Sequence, residues 1–261
     1  MTLRRLFRSG SSRESLAIKV PTLLFSILIF SSIFSFMVLQ ISGASLESES
    51  SDAKSAELLI LHRAAWFMPE SLKRMLDKHR QELELGLRAQ PLDSSCSAPG
   101  ASQLEVDLRQ RAMTINGLLR SKPRFRELAR EMGAAARLII YLNMPEGDSP
   151  LSTQLDFVLR YINKNSPSFP LVVYDDPGKG IDTIEDFLRS ISHRRALLSK
   201  RLQEAYPEGL AISSLEAYDF RSAVFGISSL VYSHSINDIA KLWLSAWIEA
   251  NGDMTGRPEL D

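Results

Sequence analysis

The chain alternates between a long uninterrupted apolar run near its start and a series of segments in which apolar residues recur with helical spacing. Val20 to Leu39 (VPTLLFSILIFSSIFSFMVL) holds 20 residues without a charge. As a helix such a run extends about 30 Å, the thickness of a bilayer's hydrocarbon core. Pro21 falls in its first turn, where a missing N–H does little harm. It predicts a transmembrane signal-anchor bounded by Val20 and Leu39. Beyond it, Ser45 to Lys54 (SLESESSDAK) is Ser-rich and acidic, a solvated tether over 40–56.

From residue 57 the period is helical. Glu57–Phe67 predicts a short apolar helix. Pro69 suits a first helical position, with Leu72, Leu76, His79 and Leu83 on one face and Gly86 as the stop. Gln90–Ala101, with two prolines and Gly100, predicts a loop. Ser102 and Glu105 form a capping-box pattern opening a helix to Ser121. Pro123 opens the next, where Ala134–Ala136 allow close packing, and Asn143 and Pro145 end it. Leu151–Asn165 is amphipathic. Leu171–Tyr174 is strand-like but too short for a sheet. Asp182 and Glu185 predict a second capping box, ahead of Phe187, Leu188, Ile191, Leu198 and Leu202 at helical spacing. Tyr218–Ala250 is apolar on nearly every face and predicts the central buried helix, with Phe220, Trp243 and Trp247 among its packing residues. Asp238 and Lys241 argue against a second membrane span. The expected architecture is all-α: a bundle-like domain of about seven helices over 57–252, preceded by one N-terminal transmembrane helix and followed by a polar tail, 253–261.

Charge adds orientation. The first 19 residues carry Arg4, Arg5, Arg8, Arg13 and Lys19 against Glu14, whereas Glu47, Glu49 and Asp52 follow the apolar run. That asymmetry predicts a cytoplasmic basic tail over 1–19 and an extracytoplasmic main domain. Ser42-Gly43-Ala44 resembles a signal-peptidase site, so cleavage after Ala44 is the alternative. Over the whole chain 31 basic residues balance 31 acidic ones. The absence of a basic excess argues against nucleic acid as a partner. One cysteine, Cys96, excludes an intrachain disulfide and a Cys-based zinc site.

Candidate chemistry rests on four histidines. His234 and Asp238 are four apart on a helix, a spacing that chelates a metal or makes a His–carboxylate pair. The alternative for both is a hydrogen-bonded pair in the core. His62 is a possible third metal ligand or a capping histidine. His79 sits on an apolar stripe and reads as structural, and His193, beside Arg194 and Arg195, as solvated. Asp175–Gly180 (DDPGKG) departs from the phosphate-loop pattern at Ile181 and reads as a turn.

Three stretches carry a resemblance: His62–Arg80, Met132–Pro145 (MGAAARLIIYLNMP) and Ser222–Gly252 with SHSIND and LWLSAW. Together they resemble bacterial members of the all-helical superfamily of zinc-dependent phospholipases C and fungal-type single-strand nucleases. That resemblance implies a helical scaffold whose H-x-x-x-D motif holds zinc to activate water. Matched on Leu142–Pro145, the histidine position is Arg137 and the aspartate position Tyr141. A guanidinium does not ligate zinc. The resemblance therefore implies a degenerate ligand set, no catalytic residues and no cofactor. The function expected is a membrane-anchored extracytoplasmic domain that binds or scaffolds. Its partners would be the bilayer, through residues 20–39, and an envelope protein, and its place the bacterial inner membrane facing the periplasm. The alternative is a phosphodiesterase or phospholipase with a reduced zinc site of His62, His234 and Asp238.

Overall fold

The computed structural model describes residues 55–88, 101–121, 124–146, 151–174, 176–207 and 218–258. The basic tail, Val20–Leu39, Ala44, the tether up to 54, Cys96 and Pro123 lie outside them. Among the described residues no helix is long and apolar enough to cross a membrane.

The described secondary structure is helical, with two short 3-10 turns and no strand among the described residues. Eight α-helices follow in order: α1 (55–66), α2 (Glu70–Lys78), α3 (Arg80–Arg88), α4 (Ala101–Arg120), α5 (Phe125–Leu142), α6 (Leu151–Asn165), α7 (Ile184–Ala205) and α8 (Ala223–Glu249). The helical class stands, and the tether ends at least two residues earlier than expected, because α1 already includes Ser55 and Ala56.

The eighth helix comes from a break inside the segment expected to be continuous from Pro69 to Gly86. At His79 the backbone leaves helical geometry, φ −112° and ψ 33°. Its ring stacks on Phe125 of α5, with centroids 6.5 Å apart. Gly86 is consequently no stop. It lies inside α3 at a crossing with α5, where a Cβ would meet the Arg130 carbonyl oxygen at 1.9 Å. Gly133 of α5 reciprocates, its virtual Cβ 2.0 Å from the Leu83 carbonyl oxygen. Two glycines thus let two backbones touch, and Leu83, Leu87, Leu128 and Met132 bury around the contact.

At the start of α7 the cap is shifted by one residue. Thr183, extended at φ −137°, accepts a hydrogen bond from the Asp186 amide at 3.1 Å and donates to Asp186 Oδ2 at 2.8 Å. Asp182 and Glu185 do not form the box. The hydroxyl of Thr183 is short enough to reach the third amide, which is what an N-cap needs.

Helix α8 passes through the middle, touching α4, α5, α6 and α7. Trp243 is fully buried, and its indole N–H donates to the Met132 carbonyl at 3.3 Å. Trp247 is half-buried. Phe220 departs from expectation: it precedes the N-cap Ser222, outside the helix, and is 68% exposed. Residues 170–174 run extended along α8. The Val172 amide donates to Ser233 Oγ at 3.3 Å, and Asn237 Nδ2 donates to the Val172 carbonyl at 2.9 Å. The segment past 252 folds back onto the domain as far as it is described. The Glu70 amide donates to the Thr255 carbonyl at 3.1 Å, and Ser71 Oγ and Trp247 Nε1 donate to the Asp253 carbonyl at 2.8 and 3.0 Å. Arg257 pairs with Asp176.

Candidate functional site

Arg137 and Tyr141 are one turn apart on α5 and therefore point the same way. Their common partner is Glu57 of α1, 6% exposed. Tyr141 donates its hydroxyl hydrogen to Glu57 Oε1 at 2.9 Å and accepts from Arg137 Nη2 at 3.0 Å. The guanidinium also lies over the tyrosine ring, 5.1 Å from its centroid, and 3.8 Å from Glu57 Oε1. Burial, and then the charge of Glu57, push the Tyr141 phenol far above its ordinary range. It stays protonated and serves as a donor, not as a base or nucleophile.

A second buried network closes the junction of α5, α7 and α8. Asp238, 4% exposed, accepts at Oδ2 from Asn143 Nδ2 at 2.8 Å and from Arg194 Nη2 at 2.5 Å. Asn143 caps α5 and donates a further bond to the Ile139 carbonyl at 3.1 Å. Burial pushes the Asp238 carboxyl up, against the opposing pull of Arg194 and Asn143. Beside Arg194, Arg195 is also buried and pairs with Glu146 at 2.6 Å.

The expected His234–Asp238 pair is not formed. Asp238 turns to the arginine and the asparagine, while His234 stacks face to face on Tyr174, centroids 4.3 Å apart. Desolvation, reinforced by the charge of Arg194, lowers the His234 ring to about 4. His62 sits elsewhere, with Nε2 3.1 Å from Arg80 Nη2 and 3.4 Å from Glu84 Oε1. Burial and Arg80 hold its pKa below the usual histidine value. His79 packs on Phe125 and His193 is exposed.

These surroundings do not fit a zinc ion. Among the described residues no three His, Cys, Asp or Glu side chains converge to hold one, so His62, His234 and Asp238 do not make a ligand set. The two buried carboxylates each face a guanidinium, which repels a cation from the same oxygens. What the arrangement can do chemically is lock helices: α1 to α5, and α5 to α7 and α8.

Glu57, Asn143 and Arg194 are the network members that the sequence did not single out. Their partners are far along the chain, so no local spacing marks them. Arg195 did carry a signal, because it falls on the apolar stripe of Leu188, Ile191, Leu198 and Leu202. A charge on such a stripe points to a buried pair. No family model, no curated protein and no solved structure matches this chain.

Proposed function

We propose that this protein is a membrane-anchored, extracytoplasmic helical domain that binds or scaffolds without catalysing hydrolysis. Its framework would be that of the zinc-dependent phospholipases C, with the metal positions given over to fixed ion networks. The observation that carries the reading is the bonding of Arg137, Tyr141 and Glu57 to one another in the interior. A site for phosphodiester attack needs open coordination positions and an activated water. Here the tyrosine at the aspartate position is a protonated donor, and the arginine at the histidine position is a permanent cation. Anchoring rests on the uncharged run from Val20 to Leu39, and orientation on the basic residues before it. An envelope protein is the partner this reading expects.

The test is metal analysis of the purified full-length protein with phosphodiester and phospholipid substrates. The expected result is well under one zinc per chain and hydrolysis at background. Stoichiometric zinc that disappears in His234→Ala would overturn the reading and favour the hydrolase of His62, His234 and Asp238. Protection of the C-terminus from protease in intact spheroplasts would overturn the orientation, and a mature chain beginning at Ser45 would overturn the anchor.

A further inference from the structure

We propose that Asn251–Gly252 is a self-modification site, where the native chain deamidates through a cyclic imide to isoaspartate, and that Asn116–Gly117 is spared. These are the two Asn–Gly dipeptides of the chain. In such a dipeptide no Cβ shields the glycine nitrogen, which attacks the carbonyl carbon of the preceding side chain. Neither pair bonds to the networks of Arg137 or Asp238.

The reaction needs only water. The Gly252 nitrogen bonds to Asn251 Cγ, and the side-chain nitrogen leaves as ammonia, carrying the proton that the glycine nitrogen gives up. Water then opens the imide. Opening at the side-chain carbonyl gives aspartate, and opening at the main-chain carbonyl gives isoaspartate, whose backbone runs through the former side chain. One water is taken up and one ammonia released, with no oxidant or reductant.

The two dipeptides sit in unlike settings. Asn116 and Gly117 lie inside α4, where the Gly117 N–H belongs to the helical ladder and its carbonyl accepts from the Ser121 amide at 3.1 Å. The Asn116 side chain is tied as well, its Nδ2 donating to Glu249 Oε2 at 2.8 Å. The imide ring does not close at helical dihedrals, so this pair reacts only if α4 unwinds. Asn251 instead follows the end of α8, exposed and left-handed at φ 55°. Asparagine takes that conformation more readily than most residues. Gly252 is fixed for another reason, because a Cβ there would stand 2.3 Å from the Trp247 indole. The turn thus calls for asparagine followed by glycine. Its restraints are the Asn251 amide on the Ile248 carbonyl at 2.9 Å and the Gly252 amide on the Trp247 carbonyl at 2.8 Å. Beyond them, the carbonyls of Asp253 and Thr255 dock on Ser71 and Glu70. Helix ends and chain ends open at low cost, and each opening frees the Gly252 nitrogen to react. Isoaspartate then inserts an extra backbone atom ahead of Asp253, which puts its carbonyl and that of Thr255 out of register with α2.

The test is ageing of the full-length protein in warm, mildly alkaline buffer, folded and in urea. Tryptic mass mapping and labelling by an isoaspartate methyltransferase follow, with peptides 112–120 and 242–261 reporting the two pairs separately. In the folded protein 242–261 should gain the acid mass and the methyl label at least about tenfold faster than 112–120. Urea should bring the two rates together. Ser71→Ala removes one restraint without touching the reacting pair and should speed the folded reaction about fivefold, the factor for one lost hydrogen bond. The Glu70 amide should exchange its hydrogen faster in aged protein than in fresh. The proposal is overturned if 242–261 stays unmodified in the folded protein while the unfolded chain converts, or if 112–120 keeps pace with it there. It is equally overturned if Ser71→Ala ages like the parent, or if the Glu70 amide of aged protein keeps its protection.

Discussion

Replacing Gly133 with alanine adds one methyl group, and its cost follows from the crossing of α3 and α5. The new Cβ would stand 2.0 Å from the Leu83 carbonyl oxygen, where real Cβ contacts are essentially never under 3.0 Å. The neighbour is backbone, so no side-chain rotation relieves the clash, and α3 must retreat by about 1 Å. That retreat loosens the packing of Leu83, Leu87, Leu128 and Met132 together. Overpacking of this kind costs about 1–3 kcal/mol and sometimes more, and a rigid carbonyl favours the upper end. Alanine's better helix propensity returns about 1 kcal/mol. The net expectation is a loss of about 2 kcal/mol, or a Tm lower by about 4–8 °C for a domain of this size. Gly117→Ala is the matched control, because nothing lies within 4 Å of its virtual Cβ. It should gain about 0.5–1 kcal/mol. Urea unfolding of the two variants, followed by CD, reads the difference. If Gly133→Ala is as stable as the parent, the close approach is not what fixes this glycine, and the account of the crossing fails.

Further outcomes follow from the buried side chains. Trp243→Ala should cost about 3–5 kcal/mol, the range for truncating a core aromatic, and a melting temperature within a degree or two of the parent would make α8 peripheral. Arg194→Met should cost about 3–5 kcal/mol because it takes the guanidinium from the buried Asp238 carboxylate. Adding Asp238→Leu should recover most of that loss in chemical denaturation, and no recovery would show that the pair is not the reason. His234 is neutral in the folded state down to about pH 4, whereas the unfolded ring titrates near the ordinary histidine value of 6.5. The unfolded state therefore binds more protons in that window, so stability present at pH 7 is lost as pH falls from about 6.5 towards 4. Screening at a half-buried ring limits this loss to about 1–2 kcal/mol. His234→Gln should flatten the slope of stability between those pH values.

Local patterns were legible, and contacts between distant segments were not. The bounds of α6 match Leu151–Asn165, and the burial of Trp243 follows from apolar residues around the whole of α8. Both are properties of a short window of chain. Gly86 was misread because a helix stop and a close helix crossing call for the same residue, and only Arg130 on another helix tells them apart. The break at His79 has no Gly or Pro to mark it, and the ring there packs on Phe125 of another helix. His234 and Asp238 looked like a pair because helical spacing is visible in sequence. Their real partners are not: Arg194 lies 44 residues from Asp238, and Asn143 lies 95. Thr183 displaced the expected cap by one position, since Asp182, Thr183 and Glu185 all suit a helix start in composition. Arg137 and Tyr141 were singled out only through a resemblance, and in this chain Arg137 bonds to Tyr141, which in turn bonds to Glu57, 84 residues away.

The return of residues 253–257 to α2 has a consequence for how the protein is made. The amide of Glu70 and the hydroxyl of Ser71, at the first turn of α2, find their acceptors on Thr255 and Asp253. Early helices can form before α8 is complete, but the first turn of α2 gains these bonds only once residues 253–255 are in place. Until then its donors face water, and the indole of Trp247 lacks the carbonyl that later receives its hydrogen. A chain truncated before residue 253 would thus keep α8 and its buried side chains but leave the first turn of α2 as an open seam, the place where local opening should begin.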